Sequence, residues 1–182
     1  TITVRLENPT YAVCYEETAI DFVVREKPTF ELIETATICI TESPQLEVSI
    51  ENPNGSHTYT WKDENNNSIG NGSTITFIQG GTYNVIATSI FGCESETKQI
   101  TITESAKAVI TSDAIQVTDD SENNSITIDT TNLGIGDYGF SIDDEFGIYQ
   151  DNGFFENLNI GNHILYIKDK KGCGTTSYSF SI

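Results

Sequence analysis

Cysteine, histidine and clustered carboxylate are the groups in this chain whose chemistry could matter, and the four cysteines are the most informative. Cys39 lies in an apolar alternating strand, Thr37-Ile-Cys-Ile40, and Cys93 follows a glycine about 54 residues later. In a two-sheet protein those strands can be neighbours, so a Cys39–Cys93 disulfide is expected. Closing that loop would stabilise the fold by roughly 4 kcal/mol on the chain-entropy model. The alternative is a pair of buried thiols in a reducing compartment. Cys173 has no counterpart to pair with in its own stretch, because Gln116 stands near the position Cys39 would occupy. Cys14 is expected to pair outside the residues seen here. Zinc is disfavoured: there is no C-x-x-C, and only His57 and His163 could add imidazole.

Carboxylates are abundant, and calcium is the metal they could hold. Asp143, Asp144, Glu145 and Asp151 bracket one hairpin; to bind calcium, six to eight oxygens would have to converge on one point. Asp63-x-Asn65-x-Asn67 begins like an EF-hand loop, but Ser68 and Thr74 replace its glycine and its bidentate glutamate. No other cofactor is implied. Gly134-Ile-Gly-Asp-Tyr-Gly139 matches G-x-G-x-x-G, yet a strand pattern follows it where a dinucleotide site needs a helix N-terminus. A glycine-rich hairpin is the expectation there. Neither G-x-S-x-G nor H-E-x-x-H occurs, and both histidines sit at strand ends. The chain reads as a non-enzyme. Among aromatics, Trp61 on an alternating strand is expected in a core. Tyr149, Phe154 and Phe155, with Phe146, are the ones to consider for ligand stacking.

The elements that would position these residues are strands. Runs such as Gln45-Leu-Glu-Val-Ser-Ile50, Tyr83-Asn-Val-Ile-Ala87 and Ser125-Ile-Thr-Ile128 alternate apolar with polar residues. They are separated by Asn, Gly, Asp and Ser, and helical periodicity is nearly absent. Such alternation describes antiparallel sheets with one buried and one wet face. A repeat organises them. Cys14, Cys93 and Cys173 each open a similar alternating run, at spacings of 79 and 80 residues. Gly81, Tyr83, Val85 and Gly92 reappear as Gly161, His163, Leu165 and Gly172. A period near 80 is one small sandwich of about seven strands. The expected fold is therefore all-β: tandem Ig-like/PKD-like antiparallel β-sandwich modules in an elongated array. Residues 1–27 would be the C-terminal remnant of a preceding module, 28–105 one whole module and 106–182 a second. The short stretch 103–107 between them has no Gly/Ser-rich tract, so their mutual angle should be restricted.

With 27 acidic against nine basic residues, the formal charge of −18 repels nucleic acid and anionic lipid. No apolar run approaches the roughly 20 residues of a membrane helix, so membrane insertion is not expected. The chain lacks methionine and reads as an internal or processed fragment.

A resemblance sharpens this reading. It is carried by Gly134-Ile-Gly-Asp-Tyr-Gly-Phe-Ser-Ile142, Tyr149-Gln-Asp151, Phe154-Phe-Glu-Asn157 and Ile167-Lys-Asp-Lys-Lys-Gly-Cys-Gly174. These phrases resemble the modules that precede the type B, gliding-motility-associated sorting domain in type IX secretion substrates of Bacteroidota. Tyr59-Thr-Trp-Lys-Asp63, Ile69-Gly-Asn-Gly72, Gly81-Thr-Tyr83 and Gly92-Cys93 are similar to the PKD/Ig-like repeats of the same proteins. The resemblance implies export through the type IX outer-membrane machinery and a place on the outer face of the outer membrane or beyond it. It implies a stalk or adhesin role, in gliding or attachment, with neighbouring modules of the same chain as partners and surface glycans or proteins as further ones. A glycan- or protein-binding accessory module of a secreted enzyme is the alternative. Asp129-Thr130-Thr131 resembles the short O-glycosylation motif of that phylum, making Thr130 a candidate acceptor.

Overall fold

The computed structural model describes residues 1–7, 9–11, 14–40, 43–120 and 123–182. It is all-β, built from sheets whose strand pairs are antiparallel with one exception. The chain opens on a two-stranded ribbon, β1 (Ile2–Glu7) and β2 (Tyr15–Ile20), paired antiparallel from Ile2↔Ile20 to Glu7↔Tyr15. Ile2, Val4, Leu6, Tyr15 and Ile20 are all exposed. A ribbon with neither face covered is at best marginal alone.

Seven strands follow: β3 (Thr35–Cys39), β4 (Leu46–Ser49), β5 (Thr58–Lys62), β6 (Ser68–Asn71), β7 (Thr74–Phe77), β8 (Gly81–Thr88) and β9 (Lys98–Ser105). They form a five-stranded sheet, β3-β9-β8-β5-β6, and a β4-β7 pair. Period-two alternation decides which side chains turn inward. On β8 these are Tyr83, Val85 and Ala87, and on β5 they are Tyr59 and Trp61. They share one core with Ile38, Val48, Phe77 and Ile100. Trp61 is in that core as expected, edge-on to Phe77 at 5.9 Å, and its indole N–H donates to the Gly72 carbonyl at 2.9 Å. The only polar atom of the ring is thus satisfied despite full burial. Tyr83, the third residue of β8, turns its hydroxyl back to the Gln79 carbonyl at 3.2 Å, the tyrosine corner of Ig-like sandwiches. Two residues on, where antibody domains carry a cysteine, stands Val85, fully buried.

The expected Cys39–Cys93 disulfide is therefore corrected. Cys39 bonds to Cys173, and Cys93 is a free thiol. The reason is a strand direction. β3 runs parallel to β9, with Thr35 beside Thr101 and Cys39 beside Ser105. Cys39 thus sits at the far end of β9, whereas Cys93 precedes its near end. Eight residues of strand separate the two ends by roughly 25 Å, and a disulfide needs Cα atoms within about 7 Å.

The last six strands are β10 (Ile115–Thr118), β11 (Ser125–Ile128), β12 (Tyr138–Ile142), β13 (Phe154–Glu156), β14 (Asn162–Asp169) and β15 (Gly174–Ser181). They build two three-stranded antiparallel sheets, β10-β11-β13 and β12-β14-β15. The core between them contains Ile126, Leu133, Phe140, Leu165 and Ile167. The glycine-rich stretch from Gly134 leads into the strand β12 as expected, but it is a crossing between the two sheets and not the expected hairpin, because β11 pairs with β10 and β13 while β12 pairs with β14. Gln116 is not a structural counterpart of Cys39. It lies on β10, which pairs with β11 and not with the last strand.

Candidate functional site: a clamped junction between two sandwiches

The site that the tertiary structure assembles is the seam between the two cores. β9 ends at Ser105 with Cys39 alongside, and the β14–β15 turn of the second sandwich reaches that end. Cys173 lies on this turn and closes the Cys39–Cys173 disulfide, with Cα atoms 5.3 Å apart across 134 positions of sequence. Beside it, the Ser105 hydroxyl donates to Asp169 Oδ1 at 2.8 Å. Asp169 Oδ1 also accepts from the Asp137 N–H at 3.2 Å, and Oδ2 accepts from the Cys173 N–H at 2.9 Å. Only 1% of Asp169 is exposed. Burial pushes its carboxyl up, but the Cys173 N–H, the Ser105 hydroxyl and the Asp137 N–H together outweigh that and hold it below the usual carboxylate range. A buried charge so surrounded is stable only while every donor stays in place.

The connecting residues are pinned as well. The Tyr138 hydroxyl lies 3.2 Å from the Ala106 carbonyl and 3.3 Å from that of Leu133. The Thr176 hydroxyl donates to the Ala108 carbonyl at 2.7 Å. Disulfide, carboxylate and pinned connection all act on one short seam, so the chemistry here is mechanical: it fixes one sandwich against the other.

The other sequence-derived candidates are dispersed. The carboxylates proposed for calcium turn to different partners. Asp143 Oδ2 meets His163 Nδ1 at 2.6 Å and its Oδ1 accepts from the Ile164 N–H. Asp144 accepts from the Phe146 N–H, and Asp151 pairs with Lys170 Nζ at 2.7 Å. Among the described residues no three His, Cys, Asp or Glu side chains come together as a metal-holding group. Asp63 is the organiser of its own turn: it accepts from the N–H groups of Asn65 and Asn67 and from the Asn67 amide. Of the aromatics, Phe155 packs against the second core, whereas Phe154 on the opposite face of β13 is exposed. Tyr149 donates its hydroxyl to the Glu145 carbonyl at 2.7 Å. Phe146 and Ile148, on the same loop, are 92% and 96% exposed. Thr130 is exposed in a short 3-10 turn, Thr130–Asn132, whose start is capped by Asp129 accepting from the Thr131 N–H.

His163 deepens the repeat. It stands 80 positions after Tyr83, and its Nε2 lies 2.7 Å from the Asn159 carbonyl, four residues back, as the Tyr83 hydroxyl does with Gln79. A carbonyl can only accept, so Nε2 carries a proton. Nδ1 faces the Asp143 carboxylate, which favours a proton there too. The Asn159 carbonyl foremost, then Asp143, hold this imidazole above its ordinary value.

Ser105 and Asp169 were missed by sequence reasoning. The available signal was that Asp169 falls where the earlier repeat has Ser89, both four residues before a cysteine.

No family model matches this chain, and no curated protein does. Among the described residues no helix is long and apolar enough to cross a membrane. Solved structures similar to the chain include the fibronectin(III)-like modules of Clostridium thermocellum CbhA, at 12% identity and TM-score 0.47, over 83% of this chain and 91% of that one. Bovine butyrophilin is similar at 9% identity and TM-score 0.44, over 82% and 95%. DIP-gamma IG1+IG2 is similar at 11% identity and TM-score 0.41, over 86% and 96%.

Proposed function

We propose that this chain is a non-catalytic stalk or adhesion segment of a large exported surface protein, built as tandem sandwiches at 28–105 and 106–182 after a module whose last hairpin is 1–27. The observation that carries this reading is the Cys39–Cys173 bond beside the buried Asp169–Ser105 contact. A disulfide between two folded units stiffens their angle, and it persists only where the surroundings are oxidising. The acidic surface and the phrases shared with type IX, gliding-associated repeats support export to the outer face of the outer membrane, with a role in attachment or gliding. X-ray scattering of the 182-residue chain tests the mechanical part. Oxidised protein should give one elongated envelope, and reduction should broaden the distance distribution. An envelope that is compact, or unchanged by reduction, would count against it.

A second reading is an accessory module of a secreted enzyme that recognises glycan or protein. Phe146 and Ile148, nearly fully exposed on the loop that carries Tyr149, favour it. Glycan-array binding that is lost in Phe154→Ala and Tyr149→Ala would support it; flat binding by the unmodified chain would remove the glycan form.

A further inference from the structure

Cys93 is presented by the same turn as Cys173. In the β8–β9 turn the Gly92 N–H donates to the Ser89 carbonyl at 2.9 Å, and the Cys93 N–H donates to the Ser89 hydroxyl oxygen at 3.2 Å. In the β14–β15 turn the Gly172 N–H donates to the Asp169 carbonyl at 3.1 Å, and the Cys173 N–H donates to the Asp169 carboxylate at 2.9 Å. Gly92 and Gly172 both take positive φ, 78° and 94°, a conformation that favours glycine. Two turns with the same hydrogen bonds thus place two thiols alike, 80 positions apart. One of them is bonded to the parallel edge strand of the sandwich before it, and the other is free.

The surroundings of Cys93 also differ from a turn meant for water. Ile90 and Phe91, beside it, are 73% and 57% exposed, where the second sandwich has Lys170 and Lys171. Phe91 is covered on one face by the Arg25 guanidinium, 3.8 Å from the ring centroid, and Arg25 lies five residues after the end of β2. By the repeat, that ribbon matches β8–β9 and β14–β15, the closing hairpin of a sandwich. The turn carrying Cys93 therefore points at the sandwich to which the ribbon belongs, as the turn carrying Cys173 points at the first.

We infer that Cys93 is half of a second inter-sandwich disulfide, whose other half is a cysteine on the parallel edge strand of the preceding sandwich, about one 80-residue period before Cys39. The inference rests on the tandem reading above. The bond forms by exchange with an oxidised protein disulfide of the export compartment. The two thiols give up two protons and two electrons, the Cys93 S–S bond forms, and the donor disulfide leaves as two thiols. The same geometry repeated gives a ladder, each sandwich bonded by its closing turn to the edge strand of the one before.

The test is an unreduced peptide map of the natural protein containing this sequence, taken from its source with alkylating agent present throughout. The Cys93 peptide is expected joined to a cysteine peptide from the N-terminal side of Thr1, with near-complete loss of alkylation at Cys93. In the 182-residue chain alone Cys93 should alkylate without reduction, while Cys39 and Cys173 should not. Recovery of alkylated Cys93 from the natural protein, or of a Cys14–Cys93 peptide, overturns the inference. The same map reads Cys39–Cys173: if that bond is present while Cys93 is free, the ladder alone fails; if it is absent, the clamped-junction reading fails with it.

Discussion

Replacing Cys173 with serine should destabilise both sandwiches, although neither would lose a bond inside its own core. With the first sandwich folded, Cys39 is held beside Ser105, where the chain leaves β9. If the second sandwich then unfolds, the disulfide ties Cys173 back to its own point of departure and closes a loop of roughly 70 residues, worth about 4 kcal/mol on the chain-entropy model. The stabilisation is nearly symmetric. If the first sandwich unfolds while the second stays folded, the loop runs from Cys39 to Ser105, and its length is similar. Each sandwich is stabilised through the other. For units of this size about 4 kcal/mol corresponds to a fall in Tm of roughly 15–30 °C. Differential scanning calorimetry of the parent chain and Cys173→Ser, with and without reductant, measures it. Both transitions should fall in the variant, and reductant should then change nothing further. If Cys173→Ser moved neither transition and reductant lowered only that of the first sandwich, the bond would be internal to the first sandwich and the junction would be unclamped.

Asp169→Ala should cost about 2–3 kcal/mol in the second sandwich, because the Cys173 and Asp137 N–H groups lose a charged acceptor; urea melts followed by near-UV dichroism would read this, and a cost below 0.5 kcal/mol would contradict it. Because Asp169 is held below its ordinary value, its contribution is present above about pH 4 and is lost as pH falls through its folded value. His163 is shifted upward, so its contribution is complete below about pH 6.5 and disappears as pH rises through its folded value. Asp143, which faces it and is held low by the Ile164 N–H and by His163 against burial, contributes only above about pH 4. The stability of the second sandwich should thus decline from pH 6 to pH 9, and His163→Tyr, which rebuilds the Tyr83 type of corner, should flatten that decline. Tyr83→Phe should cost about 1 kcal/mol in the first sandwich alone, by loss of the hydroxyl's bond to Gln79; an equal loss in the second would show that the two melt as one unit.

Much of the fold was legible because strand alternation is a local property. Tyr59 and Trp61, or Tyr83 and Val85, announce their inward faces with no knowledge of what lies opposite. The 80-residue spacing of Cys93 and Cys173 and the Tyr83/His163 pair were likewise readable, and both mark the same places in the two sandwiches. The calcium reading of Asp143, Asp144, Glu145 and Asp151 was not supported by the same logic. Proximity in sequence says nothing about direction, and Asp143, Asp144 and Asp151 turn to His163, Phe146 and Lys170 respectively instead of to one another. Phe154 and Phe155 show the contrast in miniature: adjacent residues of one strand face opposite sides, so only one could be available to a ligand.

From the residues alone came an all-β chain, its core tryptophan and the spacing of its turns, since each depends on side chains within a few positions of one another. The partner of Cys39 did not. It depends on β3 lying parallel to β9, which carries Cys39 to the end of the strand where the next sandwich begins, and on the β14–β15 turn meeting it there. An alternating strand looks the same whichever way it runs, so only the assembled sheets could decide which sulfur lay within reach.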